Sequence, residues 1–213
     1  MSDSSVTSDH IFQIKDIKHA VSKLKPHVGE GSSSLTSNHV VNAGDDFMCH
    51  IAFLFTSFVV HGSVPDGFLS STIISIHKGH NANMSDSTNF RGIALSSLFG
   101  KIFDNIILDR YCDKLLSSEL QFGFKANHST NMCSMVLKET ISYYKQHQTP
   151  VFCTFLDASK AFDRLHYCKL FKLLLKRQLP VHILRVLINL YTNSRVCVAW
   201  GAITSDYFSV VNG

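Results

Sequence analysis

Hydrophobic and polar positions along this chain follow two rhythms, one with the period of helices and one with the period of short strands. Phe47 to Val60 is the longest apolar stretch, interrupted by His50, and it reads as a buried helix. It is too short to cross a bilayer, which needs about twenty apolar residues. The turn Gly62-Ser-Val-Pro65 ends it, and Phe68 to Ile76 predicts a strand leading into His77-Lys78-Gly79. After Asn89-Phe-Arg-Gly-Ile-Ala-Leu95, Ser96 or Ser97 predicts the cap of a helix with Phe99, Phe103, Ile106 and Ile107 on one face. Lys78 and Arg91 would flank one loop of about a dozen residues, a hairpin-like arm carrying two cations.

Farther along, Gln121-Phe-Gly-Phe-Lys125 reads as an aromatic and glycine turn, and His128-Ser-Thr130 as the N-cap of a helix reaching about Gln146. That helix carries Val136, Leu137, Thr140 and Tyr144 on one side. Pro150 breaks it, and Val151 to Leu156, apolar, β-branched and aromatic, predicts a buried strand. Asp163 is expected to cap the next helix, where Tyr167, Leu170, Phe171, Leu174 and Leu175 keep a helical rhythm and leave Lys169, Lys172 and Lys176 on the other face. Pro180 opens a further helix with Leu184, Leu187, Ile188 and Tyr191 expected inward. Arg195 to Val211 alternates as two strands about a turn from Gly201 to Asp206.

Composition narrows the class. The 213 residues, 45% hydrophobic and 17% charged, suit one domain or two small lobes with a real core and exclude a wholly disordered chain. The net charge of +4 hides an asymmetry, because Arg164 to Ser205 holds seven basic residues and no acid, a lobe that would attract a polyanion. Six widely spaced cysteines without a Cys-x-x-Cys pair, and a hydrophilic start, predict free thiols in an intracellular protein, nuclear or cytoplasmic, with no signal peptide and no membrane partner. Twelve histidines are scattered, with His77 and His80 the closest pair; without further ligands beside them they read as ordinary surface or core residues. Residues 1 to 10 and Gly29 to Ser34 read as flexible.

Asp157 is the acid that local pattern explains least. It stands at the C-terminal end of the expected strand, where a carboxylate is costly to desolvate unless it meets a cation or a metal. A lone aspartate there is more often a turn cap, and two cations on an exposed arm are more often solvated than bound to phosphate.

Taken in order and spacing, these blocks resemble the reverse transcriptases of non-LTR retrotransposons, over roughly Gly62 to Gly213 and more weakly from Lys23. Ile73-Ile-Ser-Ile-His-Lys-Gly79 and Asn89 to Leu95 look like the family's fingers motifs. Gln121-Phe-Gly-Phe with Ser129-Thr130 looks like its fingers-to-palm link, and Phe155-Leu-Asp-Ala-Ser-Lys-Ala-Phe-Asp163 like its first catalytic palm motif. The resemblance implies an α+β fold, the fingers and incomplete palm of a right-hand polymerase, helix-rich with a small, mainly antiparallel sheet. Residues 1–61 would be an N-terminal flank and helical entry, and 62–213 the polymerase part, with fingers to about 125 and palm beyond.

By the same resemblance Asp157 would bind catalytic Mg²⁺, two ions in the complete enzyme, with the backbone carbonyl of Ala158 as a further ligand. Lys78 and Arg91 would hold the triphosphate of a deoxynucleotide, and Phe162 would exclude a ribose 2′-hydroxyl. Arg164, Lys169, Lys172, Lys176 and Arg177 would meet phosphates of an RNA template and a DNA primer. Two departures limit this. Gly92 stands where many relatives have proline, and Phe208 to Gly213 looks like the start of the family's next motif, with no Asp-Asp pair after it; Asp45-Asp46 precedes the fingers and does not replace it. The expectation is therefore a fragment of an RNA-directed DNA polymerase that is inactive alone, or, as the alternative, a non-catalytic nucleic-acid-binding remnant.

Overall fold

A computed structural model describes residues 11–26, 29, 35–79 and 83–210. In chain order the elements are α1 (Ile14–Ser22), α2 (Ser37–Val41), α3 (Asp45–His61), α4 (Asp66–Leu69), β1 (Ser70–His77), β2 (Phe90–Leu95), α5 (Leu98–Arg110), α6 (Thr130–Gln146), α7 (Tyr167–Lys176), α8 (Val181–Thr192), β3 (Arg195–Trp200), β4 (Ile203–Thr204) and β5 (Phe208–Ser209). The architecture is α+β, rich in helix with a small mixed sheet. Two compact units divide it, one drawn from residues 1–114 and 162–213, the other from 115–161.

In the first unit α3 is the central core helix. Gly44 caps it, Asp45 and Asp46 oppose the positive end of its dipole, and Gly62 closes it in the left-handed region at φ 69°, its N–H donating to the Phe58 carbonyl at 2.7 Å. A side chain at Gly62 would only displace the flexible end of Arg185, so it is the left-handed φ that calls for glycine at position 62. Phe55 is fully buried and meets the rings of Phe12, Phe58, Phe68 and Phe103 at 5.1–6.4 Å, several edge to face. Burying one such ring contributes about 2–3 kcal/mol. α1 packs on α3 and α5, and α8 on α3 and α7. Arg110 secures the entry of the chain: its guanidinium lies 4.5 Å over the Phe12 ring and donates to Asp16 at 2.9 Å.

β1 is the inner strand of the sheet. It pairs antiparallel with β2, in register Thr72↔Leu95 to His77↔Phe90, and parallel with β3, in register Ser70↔Arg195 to Ile74↔Ala199. β4 and β5 both pair antiparallel with β3. Alternation then puts Ile73, Ser75, Gly92, Ala94, Val196, Val198 and Trp200 on one face and Ile74, Ile76, Arg91, Ile93, Cys197 and Ala199 on the other. Among the described residues no helix is long and apolar enough to cross a membrane.

Several expected elements differ. The strand expected from Phe68 starts at Ser70, because Pro65 to Leu69 turns once as α4 and sends Phe68 into the core against Phe58 at 4.8 Å. The closing turn after β3 is tighter than expected, Gly201 at φ 61° joining Trp200 to its partner Ile203. In α8 the buried set is Ile183, Leu184 and Val186, while Ile188 and Tyr191 stay partly open. In α7 Tyr167, Leu170, Phe171 and Leu174 are half-buried as expected, but Leu175 is exposed.

Asp163 is not a helix cap. Lys160 adopts φ 52°, Leu165 N–H closes a turn on the Phe162 carbonyl at 3.0 Å, and α7 begins only after His166, whose carbonyl accepts from Lys169 and Leu170. In the second unit α6 forms where expected, with the Ser129 hydroxyl accepting from Met132 N–H. At its far end Gln148 sits at φ 55°, with Thr149 N–H on the Tyr144 carbonyl. None of its residues is buried, however, and Val136, Leu137 and Tyr144 are exposed. Residues 151–158 form no strand, and Phe155 and Leu156 are 81% and 95% exposed. Apolar composition marks a segment that can be buried, but a strand also needs a partner for its backbone groups, and none of the described strands pairs with this one.

Candidate functional site

The hairpin of β1 and β2 sets out the two cations of the arm. Its last rungs pair Ile76 with Arg91 and His77 with Phe90, and Lys78 N–H donates to the Asn89 carbonyl at 2.8 Å. Lys78 and Arg91 are thus two rungs apart, diagonal to one another, and both exposed. The Lys78 ammonium donates to the Thr88 carbonyl at 2.5 Å. Beside it Asp86 accepts from the Thr88 backbone and hydroxyl at 2.9 and 2.8 Å. These two hydrogen bonds, and then Lys78, hold the Asp86 carboxyl below the usual aspartate range. His80, half of the closest histidine pair, lies outside the described residues.

On the opposite face of the hairpin from Arg91 lies a cavity of about 490 Å³. Ile73, Gly92, Ala94 and Val196 form its floor, and Phe162, Asp163, Asp104, Tyr167 and Tyr191 line its walls. Phe162 and Arg91 therefore belong to opposite sides of the sheet in this structure. Among the described residues no lysine, arginine or histidine lines the cavity. Asp104 on α5 is exposed by area, since water enters the cavity, yet it is hemmed in by neighbouring atoms that keep bulk water away. Burial pushes its carboxyl up to about 6. Tyr191 is raised by burial and then by the charges of Asp104 and Tyr167, and Tyr167 by burial.

The basic residues after the cavity are presented by α7. Lys169, Lys172 and Lys176 follow one another at helical spacing opposite the half-buried Leu170, Phe171 and Leu174, and all three are exposed. Arg164, in the turn before α7, is exposed as well, and Arg177 reaches back to the Lys114 carbonyl at 3.4 Å. The described ion pairs are Lys18–Asp45, His19–Asp109, Lys23–Asp109 and Arg110–Asp16, so the three lysines of α7 stay available to phosphate.

Asp157 and Ala158 stand in the second unit, exposed and outside regular structure, whereas Lys78, Arg91, Phe162 and the basic residues of α7 belong to the first. Among the described residues no group of three or more His, Cys, Asp or Glu side chains gathers to hold a metal ion. Mg²⁺ favours six oxygens near octahedral geometry, and one carboxylate with one carbonyl does not by itself make a two-ion site. The six cysteines are unbonded, Cys197 buried and the other five exposed.

Two features escaped the linear pattern. Asp104 sits in an ordinary amphipathic helix, and only the fold reveals that it borders a cavity. Trp200 ends β3 beside Phe90, 4.8 Å between ring centroids, although the two residues are far apart in the chain. The chain's single tryptophan next to a glycine turn was the only local signal.

No family model matches the chain. It is 28% identical over 161 residues to the RNA-directed DNA polymerase from mobile element jockey of Drosophila funebris, a match covering 71% of this chain and 17% of that protein. The polymerase of the same name from Drosophila melanogaster is 27% identical over 157 residues, again 71% and 17%. A 115 kDa protein in the type-1 retrotransposable element R1DM of Drosophila melanogaster is 22% identical over 157 residues, 73% of this chain and 15% of its own length. The chain thus spans about a sixth of the length of these relatives. The similarities support a reverse transcriptase domain derived from a non-LTR retrotransposon.

Proposed function

We infer that this chain is the fingers and the first palm segment of a retrotransposon RNA-directed DNA polymerase, and that in this form it binds nucleic acid without extending a primer. The similarity to retrotransposon polymerases over 71% of the chain carries the reading, and the ordered motif blocks of the sequence point the same way. Residues 62 to about 125 correspond to fingers, the following residues to palm, and 1–61 to a helical entry. The partners are an RNA template, a DNA primer and deoxynucleoside triphosphates.

Each proposed role has a physical basis. Lys78 and Arg91, two rungs apart at the end of the hairpin, offer two cations to a triphosphate. Phe162 lines the cavity on the opposite side of the sheet from Arg91, so it would crowd the 2′-hydroxyl of a nucleotide held by Arg91 only after a rearrangement of the two. Arg164, Lys169, Lys172, Lys176 and Arg177 attract phosphates without reading sequence. Asp157 with the Ala158 carbonyl offers the first part of a magnesium site, and catalysis in a parent enzyme needs further carboxylates.

The test is binding of an RNA–DNA template–primer duplex by fluorescence anisotropy. Affinity should fall as salt rises and weaken when Lys169, Lys172 and Lys176 become alanine. Binding that is absent, or indifferent to both changes, would overturn the reading.

A further inference from the structure

Three aromatic rings converge at one end of the sheet, at the C-terminal ends of β1 and of β3 and the start of β2. His77 and Phe90 face each other as a cross-strand pair with centroids 5.1 Å apart, and Phe90 meets Trp200 at 4.8 Å. Trp200 and Phe90 come from the two strands flanking β1, so their rings reach across it. They can do so because the positions between them on that face are small, Ser75 and its partner Gly92. The shelf is held in place, since His77 Nδ1 is hydrogen-bonded to the Gly79 carbonyl and its ring pins the edge of Phe90. Nothing buries its outer member: Trp200 keeps 56% of its surface exposed.

We propose that Trp200 and Phe90 form a stacking shelf for an unpaired nucleobase of a single-stranded nucleic acid. A large flat ring held by its neighbours and open to water is the surface on which bases of any sequence stack. The charges around it favour nucleic acid as the occupant. Lys78 follows His77 and Arg91 follows Phe90, so two cations stand at the same end of the sheet, alternating to the face opposite the rings, and β1, β2 and β3 contain no acidic residue. Asp86, whose charge couples to Lys78, is engaged by Thr88, whose carbonyl also accepts from the Lys78 ammonium. The inference rests on the nucleic-acid-binding reading above and adds to it the bases as a second point of contact.

Trp200 is the only tryptophan of the chain, so its emission reports the shelf directly. Wild-type protein is titrated with a labelled single-stranded oligonucleotide, and binding is followed both by anisotropy of the label and by quenching of the tryptophan. The same is done with an abasic strand of equal length and charge. The expected result is quenching that saturates together with the anisotropy for the base-bearing strand, and weak or no quenching by the abasic one. Trp200→Ala should weaken binding of the base-bearing strand about tenfold and leave the abasic strand unaffected, while Trp200→Phe retains most of the affinity. Tight binding without quenching, with abasic and base-bearing strands bound equally well, overturns the shelf and leaves the nucleic-acid reading intact. No binding of either strand overturns both. The wild-type comparison needs no variant, so it holds even if Trp200→Ala fails to fold.

Discussion

Replacing Asp104 with asparagine should stabilise the protein at neutral and alkaline pH and leave it unchanged in acid. Asp104 borders the cavity beside Tyr191 and Tyr167, and among the described residues the other acid there is Asp163 and no basic side chain lines the walls. Its ionised form is therefore uncompensated, and burial moves its carboxyl from 3.8 up to about 6. Between about pH 4 and about pH 6 the folded state keeps a proton that the unfolded chain has lost. Stability from this group is thus fully present below about pH 4 and is lost as pH rises through about 6. A rise of roughly two pK units corresponds to about 3 kcal/mol at most. Asp104 is nevertheless exposed by area, and solvent screening reduces the expected effect to about 1 kcal/mol.

The assay is urea unfolding followed by far-UV circular dichroism, for wild type and Asp104→Asn in parallel across this range. The difference between the two proteins removes the contributions of every other titrating group. The curves should coincide near pH 4 and separate in favour of asparagine by about 1 kcal/mol at about pH 7, half of the separation developing near pH 5 and most of it by about pH 6. A difference independent of pH, or an asparagine variant less stable at about pH 7, would refute the reasoning.

Gln178 holds φ 57° at the end of α7, where its N–H and that of Leu179 close on Leu175 and Leu174 at 2.9 and 3.1 Å; Gln178→Gly should relieve the left-handed strain and raise stability by about 0.5–1 kcal/mol in the same unfolding assay. Primer extension with Mg²⁺ and deoxynucleotides should give no product from the 213-residue chain, with Asp157→Ala indistinguishable from wild type. Product that disappears in Asp157→Ala would show that the chain completes a site of its own.

What the sequence revealed was what short stretches of chain encode by themselves. α3 lies within a residue or two of its apolar run, Ser97 caps α5 through a hydrogen bond from Gly100 N–H at 2.9 Å, and the arm between Lys78 and Arg91 is the hairpin its length suggested. α6 formed too, because Ser129 and the left-handed Gln148 fix its ends locally; its apolar side stayed exposed, because periodicity says which side of a helix can be covered and not whether anything covers it. The parallel pairing of β1 with β3 joins residues 125 apart, Thr72 with Cys197, and no local pattern announces it. The same pairing creates the cavity floor and brings Trp200 to Phe90. Val151 to Leu156 failed as a strand for the complementary reason: its composition was legible and its partner was not. Asp163 was misassigned because a left-handed Lys160 delays the helix to Tyr167, a detour that a lysine codon gives no reason to expect.

The central claim is that this chain holds the phosphates of a template–primer through the exposed face of α7. The salt dependence of that binding measures it most directly. For wild type, the logarithm of the association constant should fall linearly with the logarithm of salt concentration, with a slope of about −0.9 for each phosphate neutralised on a duplex. With Lys169, Lys172 and Lys176 all changed to alanine, the slope should become shallower by about two to three. A slope that the triple substitution leaves unchanged, or binding indifferent to salt, would contradict the account.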